Sequence, residues 1–325
     1  MPSATPSAEI EQIERHRHEL TGYCYRMLAS PFEAEDAVQE TMLRAWRSID
    51  RFEGRSALRS WLYKIATNVC LDMLSARGRR ATPMDLGPAR EPTVENLATR
   101  GEATWVQPIR DDALGSTDDP AELAMRRETI RLAFVAALQH LPARQRTALI
   151  LCEVLRWKAA EVAELLETST ASVNSALQRA RETVQTSEIH AGDVADGLRE
   201  PEKAFLERYV AAFEAYDMEA LTELIAEDAS QSMPPYELWL QGREDVLSWW
   251  VGPGFECRGS KLLPAPRANG CIAFGQYKPD PAGGHAPWAL KVIEMSGEGL
   301  VGRITFFLDT ERLFPLFGLP PRLDG

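Results

Sequence analysis

The sequence predicts a multidomain chain: two all-α modules within the first 187 residues, then an α+β module with a curved antiparallel sheet. Three observations predict it. Apolar residues recur at intervals of three and four through residues 9–80 and 121–187, the period of amphipathic helices. Two stretches, 81–120 and 188–201, interrupt that pattern with Pro, Gly, Thr and acidic residues. Beyond residue 260, apolar runs alternate with turn formers such as Asn269-Gly270, as in a hairpin meander. Helices first and a sheet afterwards make an α+β order, and 325 residues exceed one compact core.

The elements follow in order. Residues 1–8 read as a disordered tail. Residues 9–30 read as a first helix with an Ile13, Leu20, Cys24, Met27 and Leu28 stripe, which Pro31 stops. Residues 33–49 form a second, with Ala37, Val38, Thr41, Met42, Ala45 and Trp46 inward and Glu35, Asp36, Gln39, Glu40 and Arg44 outward. A Gly-containing connector, 50–56, leads to a third helix, 57–76, packed through Leu58, Trp61, Leu62, Ile65, Ala66, Val69, Leu71 and Leu74 and ending in Arg77, Arg79 and Arg80. Residues 9–80 are thus one module. Residues 81–120, poor in apolar side chains, read as an acidic flexible linker.

The second module, 121–187, contains helices at 121–141 and 143–155 and then a helix-turn-helix. Its first helix is 157–166, its turn 167–169 and its second helix 170–183. Ser169 sits where an N-cap belongs. Val173, Leu177 and Ala180 recur at i, i+4 and i+7, so at about 100° per residue the opposite face carries Ser172, Asn174, Ser175, Gln178 and Arg179. Those side chains hydrogen-bond base edges and phosphates. A solvated helical hairpin has the same periodicity, and the absence of a Glu/Lys mixture tilts the reading towards DNA.

Residues 188–201 are a second linker, and 202–325 the α+β module: helices over 203–226 and 242–251, then strands over 260–264, 271–278, 288–295 and 300–308.

Charge is divided unevenly. The net charge of −12 splits into +1 over residues 1–80, −5 over 81–130, +2 over 131–187 and −10 over 188–325. Near-neutral modules bind duplex weakly alone, because phosphate neutralisation supplies most non-specific affinity. DNA binding within a larger assembly is therefore expected. The five cysteines, Cys24, Cys70, Cys152, Cys257 and Cys271, are scattered and include no CxxC, so neither a disulfide framework nor a metal site is signalled. No apolar run approaches the ~20 residues a bilayer demands, and a reduced cytoplasm, without membrane contact, is the expectation.

Three blocks in order resemble the sigma-70 family of RNA polymerase sigma factors, in its small extracytoplasmic-function class. FEAEDAVQETMLRAWRSIDRF (32–52) resembles region 2.2, SALRSWLYKIATNVCLDMLSARGRR (56–80) regions 2.3 and 2.4, and residues 131–183 region 4. TWVQPIRDD (104–112), SMPPYELWLQGREDV (232–246) and TFFLDTERLFPLFGLPP (305–321) resemble an actinobacterial subgroup close to sigma G, which carries a fused SnoaL-like, nuclear-transport-factor-2-like domain. That resemblance implies a cone-shaped α+β domain around a pocket. The DGGGK motif of another fused group is absent.

The resemblance implies roles as well. Glu35, Asp36, Gln39, Glu40 and Arg44 would grip the coiled coil of the polymerase β′ clamp, and region 4 would lean on the β flap. Promoter DNA at the −10 element would meet Arg51, Arg55, Trp61, Lys64, Asn68, Arg77, Arg79 and Arg80, with the 51–56 connector capturing a flipped base. Trp61 suits either the core or a base contact. The −35 element would meet Ser172, Asn174, Ser175, Gln178 and Arg179, with Arg181 on a phosphate-facing flank.

The expected function is an alternative sigma factor without a cofactor, a metal or catalytic residues of its own. Its acidic C-terminal domain would act as a tethered regulator in intramolecular contact with the sigma regions, through residues 233–235 or 314–320. Two other classes are weighed. A direct DNA-binding regulator would have no use for the region 2.2 block. A bifunctional protein, with an enzymatic or ligand-sensing C-terminal pocket, would draw on Asp228, Glu294, Asp309, Tyr216, His285 or the tryptophans Trp239, Trp249, Trp250 and Trp288, which no recognisable spacing groups.

Overall fold

Pro31 opens a helix as well as following one. Its missing amide proton and fixed φ suit the first helical position, and the Ser30 hydroxyl accepts from the Glu33 amide at 3.4 Å. The preceding helix ends at Ala29, whose left-handed φ of 56° turns the chain. In this computed structural model residues 11–52, 57–76, 78–115, 125, 128–186 and 200–324 are described. Contacts divide the chain into two units, Met1–Arg80 with Val106–His190, and Ala81–Trp105 with Ala191–Gly325.

In the first unit, α1 (Arg17–Leu28), α2 (Pro31–Ser48) and α3 (Leu58–Ser75) pack on one another. Tyr23 and Tyr63 meet edge-on at 5.2 Å, and the Tyr23 hydroxyl bonds Thr67 Oγ1 at 2.7 Å. The single helix expected over 9–30 is interrupted by a turn at residues 15–16. The second module contributes α4 (Leu132–Gln139), α5 (Ala143–Leu149) with a π-helical extension Ile150–Val154, α6 (Ala159–Leu165) and α7 (Thr170–Thr186). The helix expected over 121–141 is broken at Arg131 within its described part.

The two modules share a polar seam. Arg146, buried at 4% exposure, donates to the Met27 carbonyl, to Gln139 Oε1 at 2.8 Å and to the Gln139 and Leu141 carbonyls at 3.2 Å. Its guanidinium thus sits on a carbonyl of the last turn of α1, where the helix dipole favours a cation. Arg26 answers with donation to Thr129 O at 3.1 Å and Thr129 Oγ1 at 2.8 Å. Beside the seam the Tyr63 and Trp157 rings lie 5.1 Å apart.

In the second unit, α8 (Glu200–Ala215) and α9 (Met218–Leu224) precede a six-stranded sheet of order β2-β1-β6-β5-β4-β3. The strands are β1 (Ile225–Ser232), β2 (Trp239–Gln241), β3 (Lys261–Ala268), β4 (Cys271–Pro279), β5 (His285–Met295) and β6 (Val301–Phe307). α10 (Arg243–Val251) follows β2, and α11 (Thr310–Leu316) follows β6. The sheet is mixed, not antiparallel, because β1 pairs parallel with β6. Both β1 and β2 escaped the sequence reading. IAEDASQS lacks an apolar alternation, and WLQ is only three residues long. Register shifts in β3–β4, β4–β5 and β5–β6 are the kind of irregularity that bends strands. The core gathers Phe205, Tyr209, Phe213, Trp249, Trp250, Phe274 and Phe306.

Residues 81–114 are not the structureless linker that composition suggests. Two segments of it are hydrogen-bonded, each within its own unit. In the C-terminal unit Arg90 N donates to Trp239 O at 3.1 Å, Trp239 Nε1 to Gly87 O at 2.9 Å, Arg100 N to Pro235 O at 3.0 Å and Glu237 N to Ala98 O at 2.8 Å. Arg90 and Arg100 both pair with Glu237, and Arg312 pairs with Glu102. In the N-terminal unit Gln107 receives Tyr25 Oη at 2.8 Å and Ser30 Oγ at 2.5 Å, and its amide donates to Ala29 O at 3.0 Å. Backbone pairing supplies what a low apolar content cannot. The segment 232–246, which carried part of the subgroup resemblance, holds residues 87–100, and the segment 104–112, itself part of the linker, is held through Gln107 by Tyr25, Ala29 and Ser30.

A second correction concerns the C-terminal segments expected to face outward. Met233, Phe314, Phe317 and Leu319 are all buried inside their own unit. Phe314 packs on Tyr277 with ring centroids 5.1 Å apart.

Candidate functional site

On α2 the side chains divide as the period demands. Ala34, Ala37, Val38, Thr41, Met42 and Ala45 are buried, while Glu35, Asp36, Gln39 and Arg44 are exposed and Glu40 is half-buried. Gln39 Nε2 donates to Glu35 Oε1 at 3.0 Å, and Arg44 Nε to Glu40 Oε1 at 2.6 Å. These i,i+4 pairs pre-order the face without removing it from solvent.

Trp46 departs from its expected place in the core and stands 56% exposed. With Leu43, 45% exposed, it edges a groove of about 370 Å³ also lined by Met42, Gln39, Arg17 and Ile13. Helical position explains the miss: Met42 and Ala45 already fill the inward stripe, and Trp46 falls on its border. An exposed tryptophan beside an exposed leucine is an apolar patch needing a partner.

The candidates on and after α3 fare unequally. Arg55 and Arg77 lie outside the described residues, as does the Arg51 side chain. Asn68 is exposed. Trp61 is half-buried, its ring 5.1 Å from that of Phe52. Lys64 Nζ bonds Glu167 Oε1 at 2.8 Å, and this hydrogen bond holds the Glu167 carboxyl below its usual range. Arg79 Nη1 lies 3.1 Å from His140 Nδ1. Arg80 is corrected: at 4% exposure it is buried and donates to Glu33 at 2.8 Å, so it braces α2 instead of facing solvent. Proximity to Glu33 across the helix pair was not visible in a run of basic residues.

On α7 the whole candidate set is exposed. Ser172, Asn174, Ser175, Gln178, Arg179 and Arg181 face outward, opposite Val173, Leu177 and Ala180 at 1%, 7% and 0% exposure. Ser169 Oγ accepts from the Ser172 amide at 3.1 Å, which starts the helix there. Glu167, at φ 52°, makes the tight turn that joins α6 to α7. Gln178 Nε2 reaches Glu182 Oε1 at 3.2 Å, and Arg181 pairs with Glu153. Asn174, Ser175 and Arg179 stand exposed on the same helix. The arrangement can present three or four polar side chains to a groove.

The C-terminal unit holds a small apolar cavity with about 20 Å³ of room for a water-sized body, inside an empty region of about 360 Å³ that includes open solvent. Tyr216, Trp249, Trp250 and Trp288 line it, but no Asp or Glu does. Asp228 is exposed and Glu294 half-buried, His285 Nε2 lies 3.1 Å from Gly259 O, and Asp309, its carboxyl pushed up by burial, lies off the cavity. Trp239 holds Gly87. The carboxylate base that isomerases on such folds use is therefore not on this wall.

Behind the cavity sits a group that the sequence reading missed. Lys291 is 0% exposed, and its Nζ lies 3.7 Å from the Phe213 centroid, 4.8 Å from Tyr209, 5.1 Å from Phe306 and 5.4 Å from Trp250. Nζ has no hydrogen-bond partner, and burial pushes the amine well below its ordinary range against a weaker opposing pull from Cys257. The sign follows directly. The unfolded chain protonates this lysine up to pH about 10.4 whereas the folded chain does not, so stability rises with pH across that window. Lys291→Met is expected to raise the thermal midpoint at pH 7, with the gain shrinking towards pH 10. A pH-independent loss of stability would show that the amine is charged and supported in the fold.

Comparisons with known proteins match three stretches of the chain. Residues 12–80 match the model of sigma-70 region 2, residues 131–184 that of sigma-70 region 4, and residues 202–250 that of the nuclear transport factor 2 domain. The chain is 46% identical over 318 residues to the ECF RNA polymerase sigma factor SigG of Mycobacterium tuberculosis, covering 95% of this chain and 83% of that one. It is 32% identical over 172 residues to the RNA polymerase sigma-H factor of Pseudomonas aeruginosa, covering 53% of this chain and 81% of that one. Among solved structures, the Mycobacterium tuberculosis extracytoplasmic function sigma factor SigJ superposes with a TM-score of 0.61 at 22% identity, covering 96% of this chain and 100% of that one, a likeness of fold. Among the described residues no helix is long and apolar enough to cross a membrane.

Proposed function

This chain belongs to the extracytoplasmic-function class of sigma-70 family RNA polymerase sigma factors, with a fused nuclear-transport-factor-2-like domain, and on that premise we propose how its surfaces share the work. It is an alternative sigma factor that directs transcription initiation. The exposed face of α2, with Asp36, Gln39, Leu43 and Trp46, docks core polymerase at the β′ clamp coiled coil. Asn68, Trp61 and the cations Lys64 and Arg79 meet the opened −10 strand, and region 4 leans on the β flap while α7 reads the −35 element. Such a factor works in the bacterial cytoplasm.

The seam between the two sigma modules supports a closed resting state. By their names the −10 and −35 elements lie about 25 base pairs apart, about 85 Å at 3.4 Å per base pair. Modules that share Arg146, Tyr63 and Trp157 do not reach both at once. In the closed state Lys64 is held by Glu167 and Arg79 by His140, two cations that DNA would otherwise take. Polymerase opens the pair by binding the open form better. The C-terminal domain acts as the built-in regulator: by holding residues 81–105 it removes that length of linker from the reach between modules. The cavity, lacking a carboxylate, fits ligand sensing better than turnover.

The single observation that carries this reading is the exposed polar face of α7 over a buried apolar stripe. Transcription in vitro with core polymerase tests it. Arg179→Ala and Gln178→Ala are each expected to lower output from a −35-dependent promoter about 5- to 150-fold, the worth of one bidentate base contact at about 1–3 kcal/mol. Unchanged −35 sequence preference in both variants would move the reading helix elsewhere.

A further inference from the structure

Where the two sigma modules meet, packing is incomplete. A cleft of about 150 Å³ lies there, lined wholly by residues of the N-terminal unit. The first module supplies Glu19, Gly22 and Arg26 from α1 and Arg59 from α3. The second supplies Met125 and Thr129 ahead of α4, with Val154 and Leu155 at the end of the π-helical stretch. Gly22 leaves the floor open. It stands in the middle of α1, where glycine is an unfavourable choice, and a Cβ there would come within 3.0 Å of Arg26 Nη1 and 3.5 Å of Leu114 Cδ2. The polar wall is unevenly charged, with the guanidinium groups of Arg26 and Arg59 against the one carboxylate of Glu19. Both Glu19 oxygens are already taken, Oε1 by His16 and Oε2 by Arg59 Nε at 2.8 Å and the Tyr63 hydroxyl at 3.4 Å. Arg59 uses only Nε in that pair, so its two terminal nitrogens keep the fork that matches a second carboxylate. Its Cζ lies 5.2 Å from the Tyr63 ring centroid and 5.5 Å from that of Trp157, which fixes the plane of the fork. The side chain is 40% exposed, as a residue at the mouth of the cleft would be.

We propose that this cleft binds a small aromatic carboxylate, which holds the two sigma modules together. The ring lies against Leu114, Met125 and Val154, and the carboxylate takes the Arg59 fork at the mouth. Size agrees, since an apolar hollow of about 150 Å³ admits a benzene ring. Charge agrees too, because a carboxylate balances the surplus guanidinium, whereas a cation would compete with Arg59 for Glu19. A ligand that touches both modules binds the closed form better than the open one and so opposes opening. The proposal rests on the closed resting state, because the cleft exists only while the modules touch.

Sodium benzoate is the probe, added to the full chain carrying carbon-13 methyl groups on its nine methionines. Met125→Leu identifies the signal of the methyl that lines the cleft. That signal is expected to move saturably, with a Kd on the order of 1 mM, while the signal of Met42, in the α2 groove, stays in place. Benzamide, of the same shape without charge, and benzamidine, of opposite charge, should each bind at least about tenfold more weakly. Arg59→Met should weaken benzoate by a similar factor; if that variant does not fold, the three probes on the natural chain decide. In transcription in vitro, benzoate at about ten times its Kd should raise the core polymerase needed for half-maximal output about tenfold over a chloride control of equal ionic strength. The Arg59→Met chain should show no such rise. An unmoved Met125 signal in a free chain with high energy transfer between dyes on α3 and α6 overturns the proposal alone. An unmoved signal with low transfer overturns it by removing the closed state beneath it. Equal affinities for benzoate and benzamide, or a preference for benzamidine, overturn the carboxylate site, and binding without a change in polymerase demand overturns the lock.

Discussion

Replacing Trp46 by alanine is expected to weaken binding of core RNA polymerase about thirtyfold or more while the fold stays intact. A half-exposed tryptophan on the border of α2 contributes little to its own core, since Met42 and Ala45 fill the inward stripe. In a protein interface the same side chain is a typical hot spot, with truncation costing about 2 kcal/mol or more, and 1.4 kcal/mol is about tenfold. Titration of labelled core enzyme with each variant measures it. Val251, equally exposed at 55% but on the other unit, supplies the control: Val251→Ala is expected to leave affinity unchanged. Equal affinities for Trp46→Ala and the natural chain would place polymerase on another face.

The second large effect is expected at Arg146. Arg146→Ala leaves the Met27, Gln139 and Leu141 carbonyls without their guanidinium donor inside the seam. Charge-assisted hydrogen bonds are worth about 1.5–3 kcal/mol, and orphaned buried carbonyls add to the loss. Denaturant unfolding followed by tryptophan fluorescence should show a lower midpoint for the N-terminal unit. At concentrations where it stays folded, the variant should also activate transcription at a lower polymerase concentration, because closure no longer competes. Reduced stability with unchanged polymerase dependence would make Arg146 a brace within region 4 alone.

Much of this was legible from the residues. The α7 face was, because Val173, Leu177 and Ala180 fix which side is buried and so which side is not. The same logic placed Glu35, Asp36, Gln39 and Arg44. It failed at Trp46 because hydrophobicity and period disagree there, and the period decided. Arg80 was misplaced because a basic cluster says nothing about a carboxylate brought beside it by folding. Strand β1 was missed because a polar strand stabilised by neighbours on both edges has no pattern of its own, and β2 because three residues on the sheet's edge are too short to show one. The linker order was missed for a similar reason: residues 81–105 gain backbone and ion-pair partners from segments more than 130 residues away, such as Arg100 with Glu237. Nothing in the string WALKVIEM announces a caged lysine, whose isolation comes from rings on α8, α10 and β6.

The separation of the two sigma modules on promoter binding can be read by energy transfer. Ser75→Cys and Glu164→Cys put dyes on exposed positions of α3 and α6, away from the reading face of α7, with Cys152 and Cys257 replaced and the buried Cys24, Cys70 and Cys271 retained. The free chain is expected to show high transfer, which collapses when core polymerase and promoter DNA are added together, as the modules move to elements about 85 Å apart. Arg146→Ala should lower transfer in the free chain already. Equal transfer in the free and promoter-bound states would contradict the closed resting state.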